Sequence, residues 1–160
     1  MKKKQPKKSS IRDRLNSIVK DIKVDLFGYE KTVSDNINNY FIALSKKYNI
    51  EQNLLDVRIG KQQALSIQLF YEGQFLQKIS TDELISFFMG EGANGLVTKH
   101  KIELDVSNYL STYATTNTLN VNRLTIRLSQ PVNELMIIAY EGETAKGTLE
   151  LKELIKHFKS

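Results

Sequence analysis

The sequence predicts an α+β protein: a tandem duplication of an α-β-β-β-α unit, with antiparallel sheets packed against helices and an amphipathic helix in front. Three observations carry that prediction. The second half of the 160-residue chain repeats the first, at an offset of 69 and then 70 residues. Asn39-Tyr40 recurs as Asn108-Tyr109, Arg58 as Arg127, and Tyr71-Glu72-Gly73 as Tyr140-Glu141-Gly142. One inserted residue later, Glu83-Leu84-Ile85 and Phe88 recur as Glu153-Leu154-Ile155 and Phe158. Apolar positions keep the same register, with Val33, Ile37, Phe41 and Leu44 answering to Ile102, Val106, Leu110 and Tyr113. Within each unit the apolar spacing passes from helical to two-residue and back to helical. Self-similarity of this kind means one structural unit used twice.

Residues 1–9 have no apolar side chain after Met1 and contain a proline, so they cannot bury enough surface to offset ordering entropy and are expected to form a disordered basic tail. Ser9 or Ser10 then caps a helix over 10–28 whose apolar stripe is Ile11, Leu15, Ile18, Val19, Ile22 and Leu26. Phe27-Gly28-Tyr29 is expected to end it, with Gly28 as the C-cap. The first repeat spans 31–90. Its helix 32–48 presents Val33, Ile37, Tyr40, Phe41, Leu44 and Tyr48 on one face. Strand 54–60 alternates Leu55, Val57 and Ile59 with Asp56 and Arg58, and strand 64–71 sets Leu65, Ile67, Leu69 and Tyr71 against Ser66 and Gln68. Glu72-Gly73 turns the chain into strand 74–79. Ser80 or Thr81 caps a helix through Phe88, with Asp82 and Glu83 matching its N-terminal dipole. A glycine-rich linker covers 91–99.

The second repeat, 100–159, follows the same course: a helix over 102–115, strands at 122–129, 134–141 and 143–147, and a closing helix capped by Thr148 that runs through Phe158. The natural assembly is two three-stranded sheets or one continuous six-stranded sheet, with helices on one face. Leu135-Met136-Ile137-Ile138-Ala139 is apolar on both faces, unlike its counterpart in the first repeat, so something is expected to cover it. The candidates are helix 10–27, which is favoured because its own stripe needs a partner, and a second copy of the chain.

Composition sets the function classes. Hydrophobic residues at 41% and charged residues at 26% suit a globular domain, and no apolar run approaches the roughly 20 residues of a membrane span. No secretory signal is expected. The absence of cysteine removes disulfides, thiolate metal sites and a cysteine nucleophile, and suits a cytoplasmic protein, or a nuclear one in a eukaryote. Charge is uneven. Residues 1–23 hold nine of the 23 Lys/Arg and two of the 18 Asp/Glu, for a net of +7; the other 137 residues net −2.

No constellation supports catalysis or a cofactor. Gly90-Glu91-Gly92-Ala93-Asn94-Gly95 has the G-x-G-x-x-G pattern, but a dinucleotide site needs a strand before it and a helix after it, and here a helix precedes. His100 and His157 occupy non-equivalent repeat positions, without metal-ligand spacing. The chain is therefore expected to be non-enzymatic, with no catalytic residue, metal or cofactor. Arg58 and Arg127 fall at equivalent strand positions on the polar face. They are read either as ion-pair partners of Glu72 and Glu141 or as a duplicated phosphate contact. Tyr71 and Tyr140 are expected at the core or its rim.

The α-β-β-β-α order at about 70 residues is similar to that of the double-stranded RNA-binding domain, a family that reads duplex shape partly through lysines opening its last helix. Here those openings are Ser80-Thr81-Asp82-Glu83 and Thr148-Leu149-Glu150-Leu151, without lysine, and Lys61 in the first hairpin is answered by Gln130. The candidate nucleic-acid-binding residues are therefore the arm, Lys2, Lys3, Lys4, Lys7 and Lys8, the following helix, Arg12, Arg14, Lys20 and Lys23, and the strand arginines Arg58 and Arg127. Clustered lysines give sequence-independent, salt-sensitive phosphate contacts. The expected function is a nucleic-acid-binding accessory protein with DNA or RNA as partner and no membrane association. The alternative is a structural or adaptor protein of a larger assembly, for example a virion, with a protein partner or a second copy docked on the second-repeat sheet.

Overall fold

The computed structural model describes residues 11–61, 63–89 and 99–156, with side chains for 30–61, 63–86, 88 and 99–156. The expected tail 1–9, the cap at Ser9 or Ser10, most of linker 91–99, the Gly90–Gly95 motif, His157 and Phe158 lie outside the described residues.

Helix α1 (Ile11–Tyr48) is a single helix of 38 residues, about 57 Å long at 1.5 Å per residue. The expected break at Gly28 is not there. An interior glycine costs a helix only about 1 kcal/mol, and no proline stands nearby to remove a hydrogen bond. The helix ends instead at Asn49, whose left-handed backbone (φ 55°) lets the Ile50 amide donate to the Ser45 carbonyl at 3.0 Å.

Six antiparallel strands follow in two sets: β1 (Leu55–Lys61), β2 (Leu65–Tyr71) and β3 (Gln74–Lys78), then β4 (Leu124–Ser129), β5 (Met136–Glu141) and β6 (Thr144–Thr148). They form one sheet in the order β3-β2-β1-β4-β5-β6, which reads the same from either edge. The join is antiparallel pairing of β1 with β4, placing Arg58 opposite Arg127 and Ile59 opposite Ile126. Both edge strands are short and carry a bulge at corresponding places, opposite Leu69/Phe70 and Ala139/Tyr140. Short, irregular edges resist pairing with other chains.

Helices α2 (Thr81–Met89), α3 (Lys99–Thr116) and α4 (Leu151–Ile155) join α1 in covering one face of the sheet. The core runs through Val33, Ile37 and Phe41 of α1, Ile102, Val106 and Leu110 of α3, and Val57, Leu69, Leu128 and Ala139 of the strands, all nearly inaccessible to solvent. Ala114 fills the fourth buried position of α3, whereas Tyr113 is half-buried beside it. Each helix pair is latched by a tyrosine: Tyr40 donates to Glu83 Oε2 at 2.6 Å, and Tyr109 to Glu153 Oε2 at 3.5 Å. The N-terminal half of α1 is continuous with the part that packs beside α2 and α4. The apolar stripe of the expected covering helix, Ile11 to Leu26, lies among side chains outside the described residues.

The strand register shifts the expected correspondence between the two halves by one residue. Leu55 pairs with Tyr71 but Leu124 pairs with Glu141, so β1 and β4 correspond at an offset of 69 while β2 and β5 correspond at 70. The inserted residue thus sits in the β4–β5 turn, not after Gly142. Tyr140 corresponds to Phe70, and the two Tyr-Glu-Gly tripeptides lie one residue out of phase. A one-residue slip carries a side chain to the other face of a sheet. Tyr71 packs on the core as expected, whereas Tyr140 lies on the open face. The turns adapt accordingly: Glu72 and Gly73 are both left-handed (φ 50° and 77°), whereas of the second pair only Gly142 is (φ 61°).

The closing helix also differs from expectation. Ser80 caps α2, accepting from the Glu83 amide at 3.1 Å. Thr148 instead completes the β6 ladder opposite Ile138, so α4 starts later, with Glu150 at its N-cap position and no side-chain cap.

Candidate functional site on the open sheet face

Alternation along β1 buries Leu55, Val57 and Ile59 under the helices and turns Asp56 and Arg58 to the open face; β4 does the same with Thr125 and Arg127. Cross-strand pairing then sets the rows of that face. The central row is Lys78, Gln68, Arg58, Arg127, Ile138 and Thr148. Two like charges directly opposite are destabilising unless compensated.

Compensation comes from neighbours in equivalent places. Arg58 Nε donates to Asp56 Oδ2 at 2.6 Å, two residues back on the same strand face, and its guanidinium lies over the Phe70 ring, 3.7 Å from the centroid. Arg127 Nε reaches Thr125 Oγ1, again two residues back, at 3.5 Å, and its guanidinium lies over Tyr140 at 3.9 Å. Arg127 Nη2 also donates to the Gly142 carbonyl at 3.1 Å and to Glu143 Oε2 at 3.4 Å. The two guanidinium groups therefore splay toward opposite ends of the face, each stacked on a ring diagonal to it. Their side chains keep only 14% and 13% exposure, so they present planes and edges rather than extended tips. Phe75 adds an edge-on contact to Phe70, with centroids 5.9 Å apart.

A cleft opens on each side of the arginine pair. The larger, about 250 Å³, is bounded by Asn53, Asp56, Arg58, Arg127, Ile138 and Tyr140, with Pro131 on the rim. Its smaller counterpart, about 150 Å³, is bounded by Arg58, Gly60, Ser66, Gln68, Asn122 and Thr125. Asn53 and Asp56 of the first answer to Asn122 and Thr125 of the second, at an offset of 69.

The strand arginines are thus brought together, but not with the expected partners. Glu72 and Glu141 pair with neither: Asp56 and Glu143 do, because the slipped register puts Glu141 beside Lys146 and the Asn120 amide instead. Lys61 and Gln130 occupy equivalent positions and each ties its half to the other. Lys61 Nζ donates to Ser111 Oγ at 3.1 Å, and Gln52 donates to the buried Gln130 side chain. Lys2, Lys3, Lys4, Lys7 and Lys8 lie outside the described residues, as do the side chains of Arg12, Arg14, Lys20 and Lys23. Sequence reading missed Phe70 and Asp56, and set Tyr140 at the core or its rim rather than under Arg127. The Asp56-Val57-Arg58 spacing, which puts acid and base on one strand face, was the available signal for Asp56. His100 is exposed at the start of α3. Among the described residues no three His, Asp or Glu side chains converge as metal ligands, and no helix is long and apolar enough to cross a membrane.

No protein-family model, curated protein or solved structure matches this chain.

Proposed function

We propose that this chain is a non-enzymatic nucleic-acid-binding accessory protein, a duplicated α-β-β-β-α unit whose open sheet face and lysine arm act together. The observation that carries this reading is the central pair Arg58 and Arg127, each stacked on an aromatic ring on the face the helices leave uncovered. Guanidinium planes and aromatic rings are the groups on which nucleobases stack, whatever their sequence. The arm, with its net +7 over residues 1–23, supplies the sequence-independent phosphate term that such a face lacks. The strand order, identical from either edge, and the equivalent latches Tyr40–Glu83 and Tyr109–Glu153 support duplication as the origin of the paired arginines.

The test is fluorescence anisotropy with labelled DNA and RNA at two salt concentrations, comparing the full chain with a chain starting at Ser9. Binding by the full chain that weakens with salt, and with a shallower salt slope after the arm is removed, supports the reading. Absence of binding by either overturns it.

A second reading, an adaptor in a larger assembly, is favoured by apolar groups on the same face: Phe75 is 51% exposed and Met136 39%, next to Ile138. Self-association measured by light scattering, abolished by Met136→Lys and indifferent to loss of the arm, would select it.

A further inference from the structure

We infer that the cleft beside Asp56 is a pocket for one unpaired nucleobase, so that the sheet face selects single-stranded over double-stranded nucleic acid; this rests on the nucleic-acid reading above. Size is the first argument. About 250 Å³ admits a flat heterocycle but not a base pair with its two backbones. Exposure is the second. Arginine side chains that are 14% and 13% exposed, folded onto rings, cannot reach into a duplex groove or embrace its phosphates.

The chemistry of the lining is the third argument. Among the described residues Arg58 donates only through Nε, to Asp56 Oδ2. Among the described residues its terminal N–H groups and the second oxygen of Asp56 have no hydrogen-bond partner, yet both side chains are mostly buried and line the cleft. That places an unspent donor beside an unspent acceptor. Every nucleobase offers an adjacent donor and acceptor on its Watson–Crick edge, which is accessible only when the base is unpaired. Tyr140 and Arg127 supply stacking surface, and Ile138 an apolar wall. Asp56 takes up one of the two arginine charges that line the cleft. A cleft of this size holds the base alone, which leaves the backbone outside it, toward Lys78, an exposed lysine in the Arg58 row of the open face.

The experiment uses the full chain and labelled oligonucleotides of about 12 nucleotides, single-stranded and duplex, with a free mononucleotide as a further arm. The expected result is a preference for single strand of about tenfold or more, with the mononucleotide far weaker than the oligonucleotide. Arg58→Lys, which keeps the charge but loses the planar fork, is expected to lower single-strand affinity about tenfold and so to narrow the preference over duplex. Should that variant lose its fold, nitrogen-15 NMR of the unaltered protein reads the same point. The Arg58 Nε–H resonance is expected to shift on titration with single strand and stay still with duplex. Equal affinity for the two forms, an Arg58→Lys variant that binds like the parent, or an unmoved Arg58 resonance overturns the inference and leaves the broader reading standing. A mononucleotide that binds as tightly as the oligonucleotide overturns the strand assignment in favour of a free-nucleotide pocket. A chain that binds neither form defeats the broader reading itself.

Discussion

Arg58 and Arg127 face one another across the β1–β4 seam, two cations opposed at the place where the halves of the sheet join. Each is held by a group two residues back on its own strand, but the groups differ: a carboxylate, Asp56, for the first and a hydroxyl, Thr125, for the second. Asp56 is only 16% exposed, so its charge is incompletely screened. Removing it leaves two mostly buried guanidinium groups with, among the described residues, only Glu143 paired to them. Asp56→Ala is expected to destabilise the fold by about 1–3 kcal/mol, with part of the loss recovered in an Arg58→Met background. Urea midpoints at constant slope measure both, and a variant indistinguishable from the parent would contradict the assigned pairing.

The helical course of α1 through Gly28 makes a prediction of definite sign. In a helix interior, Gly28→Ala should raise stability by up to about 1 kcal/mol. At a left-handed C-cap the same change would lower it. Thermal unfolding and helix content by circular dichroism separate the two.

Thr118 holds a left-handed backbone at the end of α3 (φ 56°), where Asn49 holds the equivalent place after α1 (φ 55°). A β-branched residue is strained there, whereas asparagine tolerates it. Thr118 is exposed, so nothing is lost in packing. Thr118→Asn is expected to stabilise the protein by about 0.5–1 kcal/mol, read as an increase in Tm.

Alkaline pH should act through the helix latches. Burial, and then the neighbouring Glu83, raises the Tyr40 hydroxyl pKa above its ordinary value; burial and Glu153 do the same for Tyr109. The folded chain then keeps protons that the unfolded chain releases from about pH 10 upward. Stability from these groups is fully present below that pH and declines above it. Tyr40→Phe is expected to lower stability at neutral pH by about 1 kcal/mol, through the lost hydrogen bond, and to make the decline above pH 10 shallower. A slope as steep as the parent's would contradict it.

Reading the chain alone located every strand to within two residues, because each is half-buried and its two-residue alternation is a local signal. It also placed Arg58 and Arg127 on one face. It did not locate the extra residue of the second half: matching Tyr71-Glu72-Gly73 to Tyr140-Glu141-Gly142 is the better alignment of letters and the wrong alignment of faces. Both placements leave an apolar strand, since Met136 and Ile138 are as hydrophobic as Ile137 and Ala139. Gly28 misled for a related reason. Glycine is frequent at helix ends, but whether a helix continues through it depends on the turns on either side.

What the sequence determined by itself is the class of the fold, the repeated order of elements and the faces of β1 and β4, all of which follow from the spacing of apolar side chains along the chain. What only the tertiary structure decided is the single six-stranded sheet, the opposition of Arg58 to Arg127, and the placement of Tyr140 and Phe70 beneath them. These depend on which strand edges meet and in what register. Hydrogen bonding across a strand edge is made by backbone groups common to every residue, so pairing partners leave little trace in the side chains.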